Sequence, residues 1–357
     1  MREEPPPIGS DQSEREPALG PSPPPVRTRE DNLIHTPPEF AVAEGDVHVI
    51  EDAGYVTGTS LWRDAWRRLL KNRLAVFGLI VVMIISIAAL IGPAIIKAAT
   101  GYTYDFIPRE VALIKSIAPF KGADGSFSWA HPMGTDNSGR DVLARVLLGG
   151  RISLMVGIIS TIVSLIIGVS YGAVAGYLGG RVDNWMMRLV DVLYSLPYII
   201  LVIVLLAMFR SSTPVGQLVL LFVALGSVSW LTMARIVRGQ VLSLKNQEFV
   251  LAAKATGVST SRIIFRHIVP NTLGPVIVYA TLTIPQVMLS EAFLSFLGLG
   301  VQPPLASWGS LAAEGIQNIA IYPWQLIFPG VTMALTLFSL NFLGDGLRDA
   351  LDPQMRT

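Results

Sequence analysis

The 357-residue chain is strongly apolar: 51% of its residues are hydrophobic, 15% are charged, and its mean hydropathy is +0.53. Soluble domains usually carry about 25% charged residues, so this composition excludes a disordered protein, a coiled coil and a typical nucleic-acid binder. The net charge of +1 indicates no particular partner. The chain has no cysteine, which excludes disulfide frameworks, thiolate metal sites and a cysteine nucleophile.

The first part of the chain differs in composition from the rest. Residues 1–60 contain 12 acidic and 4 basic side chains and ten prolines, without a sustained apolar periodicity. Such a segment cannot bury enough apolar surface to fold by itself. We therefore predict that residues 1–59 are a disordered, Pro-rich, acidic cytoplasmic tail.

Six long stretches without charged residues follow the tail. About 20 apolar residues cross the hydrocarbon layer as a helix, and a helix satisfies its own backbone hydrogen bonds there. The alternating strands of a membrane barrel would be shorter and polar on one face. The pattern predicts an all-α membrane protein with six transmembrane helices, at 74–96, 152–178, 190–209, 214–234, 272–297 and 324–344.

The distribution of Lys and Arg predicts the orientation of these helices. Six spans place both termini on the same side, and cytoplasmic termini leave 15 basic residues inside and 8 outside. The loop 235–266 contributes most, with six bases and one acid. We expect both termini to be cytoplasmic.

The remaining predicted regions are an interfacial helix at 60–73, an external segment at 97–151 that ends in an interfacial helix, a five-helix core at 152–344 with a cytoplasmic loop at 235–271, and a C-terminal tail at 345–357.

The cytoplasmic loop contains the most informative local pattern. Asn246 can cap a helix, Glu248 suits its first turn, Lys254 suits its last turn, and Gly257 can adopt the left-handed conformation that ends it. A second helical stretch, 259–268, is basic and ends near a proline. A short helix between two spans can transmit a push from a docked partner to both. The residues expected on one helical face are Phe249, Ala252, Ala253 and Thr256.

This loop resembles a motif of ATP-binding-cassette importers. Ala252, Ala253, Gly257 and Pro270 have the spacing found in the permease subunits of these transporters. The string at 267–271 (His-Ile-Val-Pro-Asn) resembles the form found in dipeptide and oligopeptide permeases. The loop is therefore similar to the site where such permeases meet their ATPases.

Other motifs extend the resemblance over roughly residues 60–355. Leu251, His267 and Val269 stand where the general motif has Glu, Ile and Leu, as in the peptide permeases. The flanking segments are similar to those of the C-type permease subunit of the dipeptide and oligopeptide family. They are His131–Asp136 with Gly139–Asp141, Gly150–Leu154, Gly176–Gly180 with Asp183, Met187–Asp191, and Ser290–Gly300 with Ser307–Gly309.

The resemblance implies a type I importer permease fold in the plasma (inner) membrane and transport of di- or oligopeptides. The implied partners are a homologous permease subunit, two cytoplasmic ATPases, an external substrate-binding protein and the lipid bilayer, with no nucleic acid. ATP and Mg²⁺ would bind to the ATPases; this chain would have no catalytic residue, cofactor or metal. It contains no Gly-Lys dipeptide, hence no Walker A phosphate loop. The implied ATPase contacts are Glu248, Phe249, Ala252, Ala253, Lys254, Gly257, Arg262 and Pro270.

Other functions remain open alternatives. An ATP-independent secondary transporter or channel is disfavoured because the spans lack deep ionisable groups, although Pro197 and Pro285 could kink helices as they do in carriers. A membrane enzyme is disfavoured because no nucleophile–base or metal constellation emerges. Nickel chelates, glutathione, sugars and opines are alternative cargoes.

Four ionisable residues need a separate interpretation. We expect His131 and Asp136 to be turn or interface groups, because two residues without a further cluster rarely form a metal site. Asp191 and Glu291 lie near the ends of spans. We expect them to be helix-end or interface partners rather than proton carriers.

Overall fold

A computed structural model describes residues 61–107, 116–209 and 211–351. The predicted tail at 1–59 lies outside the described residues, as does the end of the chain after residue 351. Within the described ranges the chain is almost entirely helical, so the all-α prediction is confirmed. The helices of at least eight residues are α1 (Leu61–Lys71), α2 (Arg73–Thr100), α3 (Val142–Leu178), α4 (Gly180–Tyr194), α5 (Tyr198–Met208), α6 (Pro214–Leu244), α7 (Glu248–Ala255), α8 (Leu273–Phe296), α9 (Trp308–Ile316) and α10 (Trp324–Leu351).

Five described helical segments are long and apolar enough to cross a membrane. They are α2, α3, α6, the helical run Thr260–Phe296 that contains α8, and α10. A sixth span exists if α4 and α5 together are one broken span. The chain is therefore a multi-pass membrane protein.

The predicted continuous span at 190–209 is wrong. The structure has two helices here, α4 and α5, whose axes differ by 85°. The break lies at 195–197, where Pro197 lacks a backbone N–H and disfavours helical geometry for the residue before it. With 11 residues, α5 is about 16 Å long, roughly half the thickness of the hydrocarbon layer.

Polar side chains cap the N-termini of four helices. In each case a side-chain oxygen accepts a hydrogen bond from a backbone N–H of the first turn, which has no intrahelical partner. These caps fix where the long apolar helices begin. The capping residues are Asn72 of α2, Asp141 of α3, Thr213 of α6 and Ser307 of α9.

The long helices α3 and α6 pack closely through glycines. Gly168, Gly172 and Gly176 recur every four residues along one face of α3. A Cβ atom on Gly168 would lie 2.6 Å from the Cβ of Met233, and one on Gly172 would collide with the backbone of Ala234. Only glycine therefore permits this approach, which forms the centre of the bundle.

The predicted interfacial helix at the end of segment 97–151 is instead the beginning of α3. Val142 and Val146 belong to a buried cluster that includes Trp308, and the Trp308 indole N–H donates to the carbonyl of Val146 at 2.9 Å. The sequence showed an amphipathic face correctly, but such a pattern does not distinguish burial against protein from burial in lipid. Residues 116–141 form turns that lie against this end of the bundle, held by Gln325 of α10.

Candidate functional site

The segment at 245–271 connects α6 to the helical run that contains α8. We call it the connecting segment. Its helix α7 begins after Gln247, so the expected cap at Asn246 is wrong, and Gln247 makes no side-chain capping bond. At the other end, Gly257 has a φ of +75° and its N–H donates to the Lys254 carbonyl at 3.0 Å, while Val258 N–H donates to the Ala253 carbonyl at 3.1 Å. This pair of bonds is a Schellman motif, and the prediction that Gly257 adopts the left-handed conformation is confirmed.

The second half of the connecting segment departs from regular α-helix. After one turn at Thr260–Arg262, the chain forms a π-helical turn at Ile263–Ile268 and a 3₁₀ turn at Val269–Thr272. Pro270 has no N–H to donate, and the side-chain amide of Asn271 donates to the His267 carbonyl at 2.6 Å instead. The irregular turns let the chain enter α8 with its polar backbone groups satisfied.

The inner face of the connecting segment is part of the protein core. Its buried side chains pack with residues of α3, α6 and α8, among them Met233 and Val237. Burying one such aliphatic side chain contributes about 1.5–3 kcal/mol, so the segment is fixed firmly to the bundle. The buried side chains of the segment are Val250, Ala253, Ile263, Ile264 and Ile268.

Polar contacts tie the region to α3 and α4. The guanidinium of Arg238, near the end of α6, binds the Asp183 carboxylate of α4 through two hydrogen bonds of 2.5 and 2.6 Å. Lys245 Nζ donates to the carbonyl of Gly176 at 3.2 Å. The Lys254 ammonium lies 5.2 Å from the centroid of the Tyr177 ring, within the range of a cation–π contact. The connecting segment is thus bound to α3 directly, and the end of α6 that leads into it is bound to α4.

The outer face carries most of the residues that the resemblance implies as contacts. Ala253 is the exception, because its side chain is only 8% exposed and faces the chain's own core with Val250. Ala252 and Ala253 therefore do not act on the same surface. The exposed members of the set are Glu248, Phe249, Ala252, Lys254, Gly257, Arg262 and Pro270.

Two exposed apolar residues of this face are not among the contacts predicted from the sequence. Leu251 is 50% exposed and Phe265 is 49% exposed, comparable with Phe249 at 41%. Large apolar side chains exposed on a connecting loop are typical of a protein-contact surface. The sequence did carry a signal at Leu251, which stands where the general permease motif has a glutamate. We call Phe249, Leu251 and Phe265 the apolar contact residues.

Two acidic residues near the ends of spans have partners within the chain. The Asp191 carboxylate is 2.7 Å from the Arg235 guanidinium, whose centre lies 4.1 Å from the ring centroid of Tyr194. Glu291 is buried and accepts hydrogen bonds of 2.6 Å from two serine hydroxyls, those of Ser295 and Ser307. These contacts agree with the expectation that both acids are interface groups.

Replacing Asp183 with asparagine is expected to weaken the tie between α4 and α6. Asparagine keeps the size but removes the charge and one acceptor of the bidentate contact with Arg238, and a charge-assisted hydrogen bond is worth about 1.5–3 kcal/mol. We expect faster limited proteolysis at the connecting segment in the purified protein. The matched control is Asp191→Asn, which breaks a pair whose side chains are 38% and 63% exposed and so contributes little. Equal proteolysis of both variants would contradict the proposed tie.

Two family models match the chain. The model described as "Binding-protein-dependent transport system inner membrane component" matches residues 168–357. The model described as "N-terminal TM domain of oligopeptide transport permease C" matches residues 60–112. The first spans more than half of the chain and includes α6, the connecting segment and α8.

Similar proteins agree with these matches. The oligopeptide transport system permease protein OppC of Escherichia coli K12 is 49% identical over 301 residues, covering 84% of this chain and 94% of that protein. The dipeptide transport system permease protein DppC of Bacillus subtilis is 43% identical over 336 residues, covering 93% and 99%. A structure of the inward-facing MetNI methionine ABC transporter matches with a TM-score of 0.47 and 20% identity, covering 58% of this chain and 96% of that chain. From the family models and these relatives, the chain belongs to the family of binding-protein-dependent transport system inner membrane components.

Proposed function

We propose that the chain is a permease subunit of an ATP-driven importer of oligopeptides or dipeptides. Its relatives carry the names of oligopeptide and dipeptide permease proteins, at 43–49% identity over most of both chains. The proposed complex contains a second permease subunit, two cytoplasmic ATPases and an external substrate-binding protein. ATP and Mg²⁺ bind to the ATPases in this proposal, and this chain contributes one side of the path.

The geometry of the connecting segment is the observation that carries the mechanism. Its outer face exposes three large apolar side chains, and its inner face is buried against α3, α6 and α8. A partner that binds the outer face and moves must therefore move these helices with it, because close-packed cores transmit displacement rather than absorb it. ATP-driven closure of the ATPases would in this way switch the path between its inward-facing and outward-facing states.

The proposed orientation places the connecting segment and both termini in the cytoplasm. Loop 235–266 has six basic residues and one acidic residue, a bias typical of cytoplasmic loops. The basic groups of this loop also favour association with an acidic partner surface. The chain has no Gly-Lys dipeptide, which supports assigning ATP hydrolysis to the partner subunits.

The test is peptide uptake into proteoliposomes that contain the complete complex. We expect labelled trialanine to accumulate only when ATP, the ATPases and the binding protein are all present. In the same preparation, a cysteine at the exposed apolar position 249 (Phe249→Cys) should crosslink to an ATPase. The control is Phe127→Cys, which is 69% exposed but lies in the turns at 116–141, which the proposed orientation makes external. Accumulation driven by an ion gradient without ATPases, or crosslinking of the control alone, would refute the proposal.

A further inference from the structure

A cleft of about 490 Å³ opens beside the break between α4 and α5. The other walls of the cleft are the middles of α6 and α8. Ser229 is the central residue of the 31-residue helix α6, so the cleft lies near mid-depth of a candidate membrane span. Its volume is in the range of small-molecule sites. The polar side chains that line it include Ser195, Tyr198, Ser229, Thr283, Gln286 and Ser290.

The cleft is unsuited to contact with lipid chains. Acyl chains cannot hydrogen-bond, so a lipid-facing helix surface at this depth carries apolar side chains. Here Gln286 is exposed in the middle of a span, and hydroxyl groups surround it. The backbone at 195–197 is also not helical, and such backbone is tolerated at membrane depth only where it lines a cavity or is buried in protein. Two independent features therefore indicate that the cleft receives a polar occupant.

The hydroxyl groups of the cleft face their occupant as hydrogen-bond acceptors. Four of them lie 2.7–2.9 Å from a backbone carbonyl of their own helix. A carbonyl oxygen can only accept, so each hydroxyl donates its single hydrogen to that carbonyl and can accept from other donors through its two lone pairs. The Tyr198 hydroxyl interacts with Ser229 and Ser290, and the Tyr279 hydroxyl interacts with Thr283; such a contact fills one lone pair and leaves the second for an occupant. Tyr198 and Gln286 can donate as well as accept. The four committed hydroxyls are those of Ser195, Ser229, Thr283 and Ser290.

The cleft offers no charged group to its occupant. None of its lining residues is Asp, Glu, Lys, Arg or His. Asp191 and Arg235, which neighbour the lining residues in the sequence, neutralise each other at 2.7 Å. A neutral wall rich in acceptors favours N–H donors over anions. An extended peptide supplies such donors along its main chain whatever its side chains are.

We propose that this cleft is a stretch of the translocation path that binds the main-chain N–H groups of an extended peptide. The inference rests on the proposed function of peptide import and adds where this chain contacts the cargo and which groups of the cargo it reads. Because the contacts are to the main chain, the cleft passes peptides of varied sequence. The path then selects for a peptide main chain, and the cleft does not distinguish the side chains of the cargo.

Cysteine accessibility tests whether the cleft is open to water and cargo. The chain has no native cysteine, so single cysteines can be introduced without a background reaction from this subunit. In the reconstituted complex, Ser290→Cys should react with a water-soluble methanethiosulfonate at least tenfold faster than Thr281→Cys. Thr281 lies on the same helix and makes the same kind of bond, to the Ile277 carbonyl at 2.9 Å, but it is outside the cleft lining. Trialanine with its binding protein should slow the reaction of Ser290→Cys.

The outcome of this labelling separates the cleft from its rivals. If Ser290→Cys reacts no faster than Thr281→Cys, lipid or another subunit covers the cleft and the inference is wrong. If it reacts fast but peptide gives no protection, water enters the cleft while the cargo passes elsewhere, and the inference is also wrong.

Transport of an N-methylated peptide tests the hydrogen-bond chemistry. At saturating concentrations of the loaded binding protein, the wild-type complex should transport trialanine about threefold to tenfold faster than the analogue methylated at its central nitrogen, which lacks one N–H. Thr283→Val combined with Ser290→Ala removes two acceptors and should abolish this difference. The control Thr281→Val should retain it.

The two proposals fail differently in this assay. A wild-type complex that takes up neither peptide with ATP refutes the proposed function. A wild-type complex that imports trialanine, combined with a double variant that discriminates as the wild type does, refutes only the role of the cleft. A wild-type complex that imports both peptides equally fast refutes that role as well.

Discussion

Replacing Gly257 with valine is expected to reduce ATP-dependent peptide uptake by at least tenfold, with normal abundance of the subunit in the membrane. Gly257 has a φ of +75° and ends helix α7 through the Schellman motif. A β-branched residue in the left-handed region costs roughly 1–2 kcal/mol or more, so the turn should rearrange. A Cβ atom at this position would meet nothing within 4 Å, so the effect arises from the backbone and not from a clash.

The expected defect is in coupling. Rearrangement of the turn displaces the apolar contact residues relative to the core beneath them, and peptide-stimulated ATP hydrolysis by the complex should fall with uptake. The matched control is Gly274→Val, since a Cβ at Gly274 also meets nothing within 4 Å and the residue has no positive φ. Normal uptake and normal ATPase stimulation in the Gly257 variant would show that the ATPases do not act through the connecting segment.

The broad architecture of this protein can be predicted from its sequence because the spans are defined by composition. Long uncharged stretches predicted the positions of α2, α3, α6, α8 and α10, since a charged side chain is costly inside the bilayer wherever it occurs. The bounds were less accurate, because α3 begins ten residues earlier than predicted, α6 ends ten residues later, and α10 continues to Leu351, inside the predicted tail at 345–357. The end of α7 was equally predictable. Gly257 follows a short helical pattern with a base in its last turn, and few other local conformations fit that combination.

The remaining features depend on contacts between distant parts of the chain. A single proline such as Pro197 is compatible with a kink, with the start of a helix or with a sharp break, and only packing decides among them. Val142 and Val146 lie on an amphipathic face whose burial partner, Trp308, is more than 160 residues away in sequence. Ala253 and Ala252 are adjacent and identical, yet the first faces the core and the second is exposed. Local periodicity alone could not have separated them.

Arg145 is the centre of a buried ionic cluster at the end of the bundle opposite the connecting segment. Its Nη1 atom lies 2.6 Å from a carboxylate oxygen of Asp136 and 2.7 Å from one of Glu314, and Nη2 lies 3.0 Å from the other oxygen of Glu314. The arginine side chain is only 2% exposed. The cluster joins the turns at 116–141 to α3 and α9.

Replacing Arg145 with methionine is expected to destabilise the subunit strongly. Removing one partner of a buried ion pair costs about 3–5 kcal/mol, and here the Asp136 carboxylate, whose side chain is 10% exposed, loses its closest partner, whereas Glu314 is 43% exposed. We expect the apparent melting temperature of the purified protein in detergent to fall by roughly 5–15 °C. The control is Arg140→Met: Arg140 contacts the same two acids, at 2.7 and 3.7 Å, but its side chain is 17% exposed.

A second substitution distinguishes two causes of the lower melting temperature, the loss of charge pairing and the loss of arginine packing. Combining Arg145→Met with Glu314→Gln removes the charge of one carboxylate that has lost its contact with Arg145, so part of the lost melting temperature should return. Glu314→Gln alone should lower it, because it weakens the bidentate contact. If the double variant melts no higher than Arg145→Met, packing of the long side chain and not charge pairing holds this end of the bundle together. If Arg140→Met is as damaging as Arg145→Met, burial is not what makes Arg145 important.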